Sequence, residues 1–261
     1  MTRSIMHAED VRDQGSRRRV EHSLGFEMEV VVKKYQQRFR KVKEERENWN
    51  ELQSRLISQF TNASSIIQRL QVLTQFFCHV PEAASNSRGL FILLFHPLIK
   101  ECIFMQILQD SKNYGALQCV EGIQEAVLLK QMNSLQTILF SMNETMEKFH
   151  SVVLSLEKLV RDGRQLIKGG SVQITVKQLQ QRIGIKPCIA DCLDGLNLLS
   201  EMHQSEYRLK LSVISALSAV ALKHSGSDDL GALQQLLVDQ PNIPKEEVQF
   251  IFDIIFAEEM A

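Results

Sequence analysis

The chain has 261 residues, 44% of them hydrophobic, and its 30 Lys and Arg residues nearly balance its 31 Asp and Glu residues, which gives a formal net charge of -1. This balance argues against a general nucleic-acid-binding protein, because such proteins are usually strongly basic. The five cysteines form no CxxC pair and the amino terminus resembles no signal peptide, so we expect reduced thiols in the cytosol or nucleus.

Residues 1–24 lack apolar periodicity and contain the run Arg17-Arg18-Arg19, so we predict a mobile amino-terminal arm. The first long helix is predicted from about Phe26 to Phe77, since its apolar residues recur mostly at intervals of three and four. These residues are Tyr35, Phe39, Val42, Trp49, Leu52, Leu56, Phe60, Ala63, Ile67, Leu70 and Leu73. Trp49 is the only tryptophan, and its position predicts either a core residue or an anchor for a partner.

Residues 79–116 interrupt this pattern, and Pro81 with the polar residues 85–87 predicts a loop. Residues 89–108 are almost apolar enough for a membrane span, which needs about 20 such residues. His96, Pro97, Lys100 and Glu101 lie in the middle of the stretch and argue against a span, because charge is costly inside a bilayer. A buried helical hairpin, a docking segment and an inserted piece are the alternatives that we retain.

The central helix is predicted over Leu128 to Val160, with Asp162-Gly163 as its end. Its apolar residues alternate at intervals of four and three, which is typical of a coiled-coil seam. They are Leu128, Met132, Leu135, Leu139, Met142, Met146, Phe149, Val153, Leu156 and Val160. Such a helix is about 50 Å long, and its narrow stripe requires other long helices beside it. The sequence therefore predicts an all-α fold, an elongated bundle with coiled-coil-like packing.

Shorter elements and a third long helix follow. We predict a short helix over residues 175–183, ended by Gly184, and a long helix opened by Pro187. The seam of the long helix is predicted to consist of Ile189, Leu193, Leu196, Leu199, His203, Tyr207, Leu211, Ile214, Leu217 and Ala221. A helix over residues 228–238 and a last one over 246–258, opened by Pro244, complete the bundle. The last helix is apolar on most sides, so we expect it to be largely buried.

Motifs that carry chemistry are not evident in the sequence. Gly169-Gly170 lacks the Lys and Ser or Thr of a phosphate-binding loop, and no HExxH motif occurs. Cys188 and Cys192 lie one turn apart and could share a metal, but two small core thiols are the simpler interpretation. His203 is expected to be a structural histidine, with a pH-sensitive group as the alternative. We therefore expect no enzyme, no cofactor and no metal site.

Three stretches resemble one small family. They are residues 44–70, which include Glu44-Glu-Arg-Glu-Asn-Trp49; residues 188–215, which include Cys188-Ile-Ala-Asp-Cys-Leu-Asp-Gly-Leu196; and residues 246–259. In order and spacing they are similar to the AAA-ATPase-interacting ribosome maturation factors, the chromosome 1 open reading frame 109 protein family. The chain departs from the family pattern between its first and central helices, where we predict an insertion at residues 89–112 within a single bundle domain at 25–261.

The resemblance implies a non-enzymatic adaptor that works with a hexameric AAA ATPase and its other adaptor subunits in late maturation of the large ribosomal subunit. Such an adaptor contacts the pre-ribosomal particle indirectly, acts in cytoplasm and nucleus, and has neither a small-molecule substrate nor a membrane partner. Four residues in the matching stretches are predicted to contact a partner, namely Trp49, Tyr207, Arg208 and Lys210. The alternative hypothesis is a generic coiled-coil tether or scaffold protein.

Overall fold

A computed structural model describes residues 3–74, 123–168, 175–182, 184–221 and 227–260, and the regular elements within these ranges are all α-helices. Three of the helices are long, namely α1 (Arg3–Thr74), α2 (Ile123–Lys168) and α4 (Ile189–Ala221). The shorter helices are α3 (Val176–Leu179), α5 (Ser227–Asp239), α6 (Lys245–Ile255) and α7 (Ala257–Met260). The predicted all-α bundle of three long helices and short carboxy-terminal helices is confirmed.

Some predicted boundaries differ from the observed ones. Helix α1 begins at Arg3, so its helical backbone includes most of the segment predicted to be a mobile arm. The backbone alone does not test the mobility of that arm, which stays a prediction. Helix α3 is shorter than predicted, and Thr175 caps it by accepting a hydrogen bond from the Gln178 backbone N–H. The predicted loop at 79–116 and the insertion at 89–112 lie outside the described residues.

The chain divides into two compact units, each assembled from separate segments. Unit 1 contains Met1–Glu47, Val153–His203 and Ile243–Ala261, and unit 2 contains Asn48–Val152 and Gln204–Asn242. Each unit therefore takes a section from each of the three long helices. The single domain over residues 25–261 stays a prediction.

The core of unit 1 is built around two aromatic residues of α1, Tyr35 and Phe39, which are fully buried. The ring of Phe39 meets the ring of Phe252 edge-to-face, with centroids 6.0 Å apart. Apolar residues of the other helices complete the core: Val153, Leu156, Leu159, Val160, Ile189, Cys192, Leu196, Leu199, Val248, Ile251 and Ile255. Tyr35 and Phe39 were predicted as seam positions of the first helix, and their burial confirms that prediction.

The prediction that Asp162-Gly163 ends the central helix is wrong, because α2 continues to Lys168. Gly163 instead permits a close approach between helices. A Cβ atom at this position would lie 3.2 Å from the Leu196 Cδ1 atom and 3.2 Å from the Tyr35 Cε1 atom. The Tyr35 hydroxyl also donates a hydrogen bond of 2.7 Å to the Gly163 carbonyl oxygen. The glycine is therefore explained by packing against α1 and α4 and not by helix termination.

Adding a side chain at Gly231 and at Gly195 should change the free energy of unfolding in opposite directions. Gly231 in α5 has open space where a Cβ atom would lie, so Gly231→Ala should raise the free energy of unfolding by about 0.5–1 kcal/mol through helix propensity. A Cβ atom at Gly195 would lie 3.0 Å from the Ile251 Cγ2 atom and 3.2 Å from the Phe39 Cζ atom. Gly195→Leu should therefore lower the free energy of unfolding by about 1–3 kcal/mol. Urea titrations measure both effects, and two shifts of the same sign would contradict the assignment.

The start of α4 is fixed by a reciprocal pair of hydrogen bonds. The Cys188 thiol accepts a bond of 3.3 Å from the Asp191 backbone N–H, and the Asp191 carboxylate accepts one of 3.1 Å from the Cys188 backbone N–H. Cys188 therefore takes the place of serine or threonine in a capping box. Pro187 lies one residue before this cap and not in the first helical turn, which corrects the predicted boundary. Cys188 and Cys192 are both buried, so the prediction of core thiols is confirmed.

The last helix was predicted to be largely buried, and the structure departs from this prediction. Only one side of α6 is buried, through Val248, Ile251, Phe252 and Ile255. Phe250 is 62% exposed and Ile254 is half-buried. The helix also ends at Ile255, and α7 begins only at Ala257. The residues that made the sequence apolar on most sides therefore form a second apolar face, which the described part of the chain leaves at the surface.

Candidate functional site

Unit 2 contains a fully buried ion pair within α4. The Lys210 Nζ atom donates a hydrogen bond of 2.9 Å to the Glu206 Oε1 atom, and both side chains are 0% exposed. Lysine and glutamate are almost never fully buried without partners, because removing a charge from water costs several kcal/mol. The groups around the pair must therefore satisfy both charges, and they define the candidate site.

The second carboxylate oxygen of Glu206 is held by the loop between α5 and α6. Its Oε2 atom accepts a hydrogen bond of 3.2 Å from the backbone N–H of Asn242 and one of 3.1 Å from the side-chain amide of the same residue. The carboxylate thus accepts three hydrogen bonds in all. Such bonds to an ionised group are stronger than neutral ones, so Glu206 ties this loop to α4.

Two aromatic rings form the apolar side of the site. The Lys210 Nζ atom lies 5.7 Å from the centroid of the Trp49 ring and 5.5 Å from that of the Phe149 ring. These distances lie within the range of cation–π attraction. The two rings meet edge-to-face with their centroids 4.5 Å apart. One buried ammonium group therefore contacts side chains from α1, α2 and α4.

The end of α5 is fastened to α1 by two polar side chains. The Trp49 indole N–H donates a hydrogen bond of 2.8 Å to the Gln240 side-chain oxygen, and the Gln53 amide donates one to the Leu237 carbonyl oxygen. Gln240 has a φ angle of +46°, the left-handed conformation that commonly follows a helix end. The turn after α5 is consequently fixed from both sides, by α1 through Trp49 and by α4 through Glu206.

The electrostatics of the site follow from its burial. Burial lowers the pKa of Lys210, and the adjacent Glu206 carboxylate offsets part of that effect. A lysine with a lowered folded pKa binds fewer protons in the folded than in the unfolded chain, so its contribution to stability becomes more favourable as the pH rises towards the unfolded pKa. Because neither charged group reaches solvent, the arrangement joins helices and presents no reactive group at the surface.

The four residues predicted to contact a partner all lie in unit 2, but the structure places them in different environments. Trp49 and Lys210 belong to the buried site and are 2% and 0% exposed. Tyr207 is half-buried and its ring stacks on that of His150, with centroids 5.4 Å apart. Arg208 is exposed. A partner that binds the surface of this conformation can touch Arg208 and part of Tyr207, and partner contact by these residues stays a prediction.

The residues that sequence reasoning missed are Glu206, Gln240 and Asn242. The seam predicted for α4 passed through Tyr207 and Leu211, whereas Leu211 is 40% exposed and Lys210 is buried. The buried positions continue at intervals of three and four, as Ile189, Cys192, Leu196, Leu199, His203, Glu206, Lys210, Val213, Leu217 and Val220. Unbroken spacing was therefore the signal that could have identified Glu206 and Lys210 as a buried pair.

His203 and the described cysteines show no sign of a reactive arrangement. The His203 ring is 1% exposed, and its Nδ1 atom lies 2.6 Å from the Leu199 carbonyl oxygen. This contact confirms the structural role predicted for the histidine. Within the described ranges, no group of three or more His, Cys, Asp or Glu side chains is placed to hold a metal ion. None of the described helices is both long and apolar enough to cross a membrane.

Comparison with known proteins relates most of the chain to one family. Residues 29–84 and 102–260 match the model of the CA109-like family, described as ribosome biogenesis protein C1orf109-like. The chain belongs to this family. No curated protein and no solved structure gives a significant match. The family match includes every residue of the buried site, and it leaves residues 85–101 unmatched.

The unmatched residues 85–101 overlap the insertion predicted at 89–112, although residues 102–112 fall inside the family match. The overlap is therefore limited to residues 89–101, and the insertion stays a prediction. Membership assigns the chain to a family of ribosome biogenesis proteins. The resemblance described above had implied this family, and the comparison confirms it.

Proposed function

We propose that this chain is a non-enzymatic adaptor subunit of an AAA ATPase complex that acts in late maturation of the large ribosomal subunit. The family match over residues 29–84 and 102–260 is the observation that carries the proposal. In this role the adaptor helps a hexameric ATPase and its other adaptor subunits to release assembly factors from the pre-ribosomal particle and recycle them. The protein would act in both nucleus and cytoplasm.

The buried site supports a role in binding over one in catalysis. Its charged groups are satisfied within the chain, since Glu206 accepts hydrogen bonds from both Lys210 and Asn242. Catalytic groups usually face a cleft that a substrate can enter. Here the ion pair and its hydrogen bonds hold α4 and the loop between α5 and α6 in place. Such a rigid arrangement suits a surface that binds protein partners.

Affinity purification followed by mass spectrometry tests the proposal. The tagged full chain should recover an AAA ATPase together with factors of the precursor large subunit. A second chain that lacks residues 89–112 shows whether the predicted insertion affects this recovery. If the protein is recovered alone, or with membrane or cytoskeletal proteins, the adaptor proposal fails and the coiled-coil tether becomes the better hypothesis.

A charge reversal tests the partner contact predicted at the surface. Arg208→Glu should reduce recovery of the ATPase about tenfold, as is common for an arginine at the centre of an interface. The matched control is Arg55→Glu, since Arg55 is an exposed arginine of the same unit on α1. Equal recovery by the two variants would remove Arg208 from the contact surface.

A further inference from the structure

The exposed face of α6 has a distinct composition. Phe250 is 62% exposed, and Ile254, one turn later, is half-buried. The opposite face already packs into unit 1 through Val248, Ile251 and Phe252. A helix that is apolar on two opposite sides is normally buried on both, and an exposed apolar surface rimmed by polar groups marks a contact site.

Carboxylates surround this face. On a helix, the neighbours of Phe250 are the residues three and four positions away. Those before it are Glu246 and Glu247, and those after it are Asp253 and Ile254. Three of the four neighbours are therefore acidic and the fourth is apolar. Lys245, at the first position of α6, is the nearest basic residue along this helix.

Interactions within the chain account for only part of this acidic rim. Asp253 accepts a hydrogen bond of 2.7 Å from the Gln249 amide. Glu246 and Glu247 lie in the first turn of α6, where negative charge complements the helix dipole. Neither of them has an ion-pair partner among the described residues. Their charge is thus available to a cation that the described residues do not supply.

We propose that the face formed by Phe250, Ile254 and the three carboxylates binds a basic amphipathic helix of a partner protein. The apolar residues of that helix would cover Phe250 and Ile254, and its flanking Lys or Arg side chains would pair with Glu246, Glu247 and Asp253. Helices of this kind commonly bind an apolar surface through residues at intervals of three and four. An anionic membrane surface does not fit this face, because its charge has the same sign as the rim.

The small size of the face sets the expected strength. Covering one phenylalanine side chain contributes only modestly to binding, and exposed ion pairs add little. We therefore expect a weak contact with a dissociation constant on the order of 100 µM or weaker, strengthened by other contacts in an assembly. Carboxylates at the rim should raise the association rate and make the binding sensitive to salt.

The test uses the purified full chain and two designed, fluorescein-labelled peptides of about five helical turns, or roughly 18 residues. Both carry leucines at intervals of three and four, flanked by lysines in one peptide and by glutamates in the other. Fluorescence anisotropy should show binding of the lysine peptide at least tenfold tighter than binding of the glutamate peptide. Added salt should weaken the binding of the lysine peptide.

Variants of the chain assign the binding to this face. Phe250→Ser should weaken binding of the lysine peptide about tenfold, because it removes the central apolar contact. Phe140→Ser is the matched control, since Phe140 on α2 is 66% exposed and lies in the other unit. The combined change Glu246→Gln, Glu247→Gln and Asp253→Asn should weaken binding as well and reduce its dependence on salt.

Four results would overturn the proposal. The first is no detectable binding of the lysine peptide, the second is equal binding of the two peptides, and the third is an equal effect of Phe250→Ser and Phe140→Ser. The fourth is self-association of the chain, measured by sedimentation, that Phe250→Ser abolishes, because the face would then bind a second copy. None of these results would affect the adaptor proposal, because that role is tested separately by recovery of the ATPase.

Discussion

Glu206→Gln is expected to lower the free energy of unfolding by about 3–5 kcal/mol near pH 7, because removing one partner of a buried ion pair leaves the other charge uncompensated. Lys210 is fully buried, so its ammonium group has no route to solvent. The glutamine oxygen could also not replace both carboxylate oxygens, which together bind Lys210 and two groups of Asn242.

The destabilisation caused by Glu206→Gln should become smaller as the pH rises. Burial lowers the pKa of Lys210, and removal of the carboxylate lowers it further, whereas the unfolded chain retains an ordinary lysine pKa of about 10.4. Between these pKa values the unfolded variant binds more protons than the folded one, so its stability increases with pH. Urea titrations near pH 7 and about pH 9 measure the difference.

A partly exposed pair provides the control for this experiment. Glu157 and Arg161 are also one turn apart, with 3.7 Å between their charged atoms, and their side chains are 31% and 61% exposed. Glu157→Gln should therefore change stability by no more than about 1 kcal/mol. An equally small effect of Glu206→Gln, or a loss that grows with pH, would show that the buried pair does not stabilise the fold.

Trp49→Ala is expected to lower the free energy of unfolding by about 3–5 kcal/mol, since it leaves a large cavity beside Phe149 and Lys210. Trp49→Phe keeps most of the apolar volume but removes the indole N–H. The half-buried Gln240 side-chain oxygen then loses its donor, at a cost of about 0.5–1.5 kcal/mol. Chemical denaturation of both variants measures the two losses.

Partner recovery separates the two roles considered for Trp49. If the residue acts through the core, folded Trp49→Phe should recover the ATPase as well as the parent chain does. Phe140→Ala is the control for loss of an exposed aromatic side chain outside the proposed binding face, and it should change stability by no more than about 0.5 kcal/mol. Full stability of Trp49→Ala combined with loss of the partner would instead make Trp49 an interface anchor.

The long helices could be predicted because their apolar residues follow a regular spacing over many turns. In α2 the predicted seam residues from Leu135 to Val160 are all buried. In α4 the predicted seam residues Ile189, Leu196, Leu199 and His203 are buried, whereas Leu193 is half-buried and Cys192 takes its place. Beyond His203 the prediction followed Tyr207 and Leu211, because charged residues were not considered as core positions. The helix keeps its spacing through Glu206 and Lys210, whose charges neutralise each other.

The polar part of the site could not be predicted in the same way. Trp49 and Gln240 are 191 residues apart in sequence, and Glu206 and Asn242 are 36 apart. Periodicity reports which face of a helix is buried, but it does not report which distant side chain will lie opposite. The exposure of Phe250 was missed for a related reason, because an apolar residue has the same sequence pattern on a core face and on a face that binds a partner.

The assembly of unit 1 from Met1–Glu47, Val153–His203 and Ile243–Ala261 bears on how the chain is made. A ribosome releases the first of these segments long before the last, and the core contacts between Phe39 and Phe252 join residues of both. Nascent chains must therefore keep the apolar side of α1 protected until α6 has been synthesised, a period in which exposed apolar surface favours aggregation. A premature stop before α6 would remove Phe252 and leave unit 1 without part of its core, so such a product is expected to depend on chaperones and to be degraded.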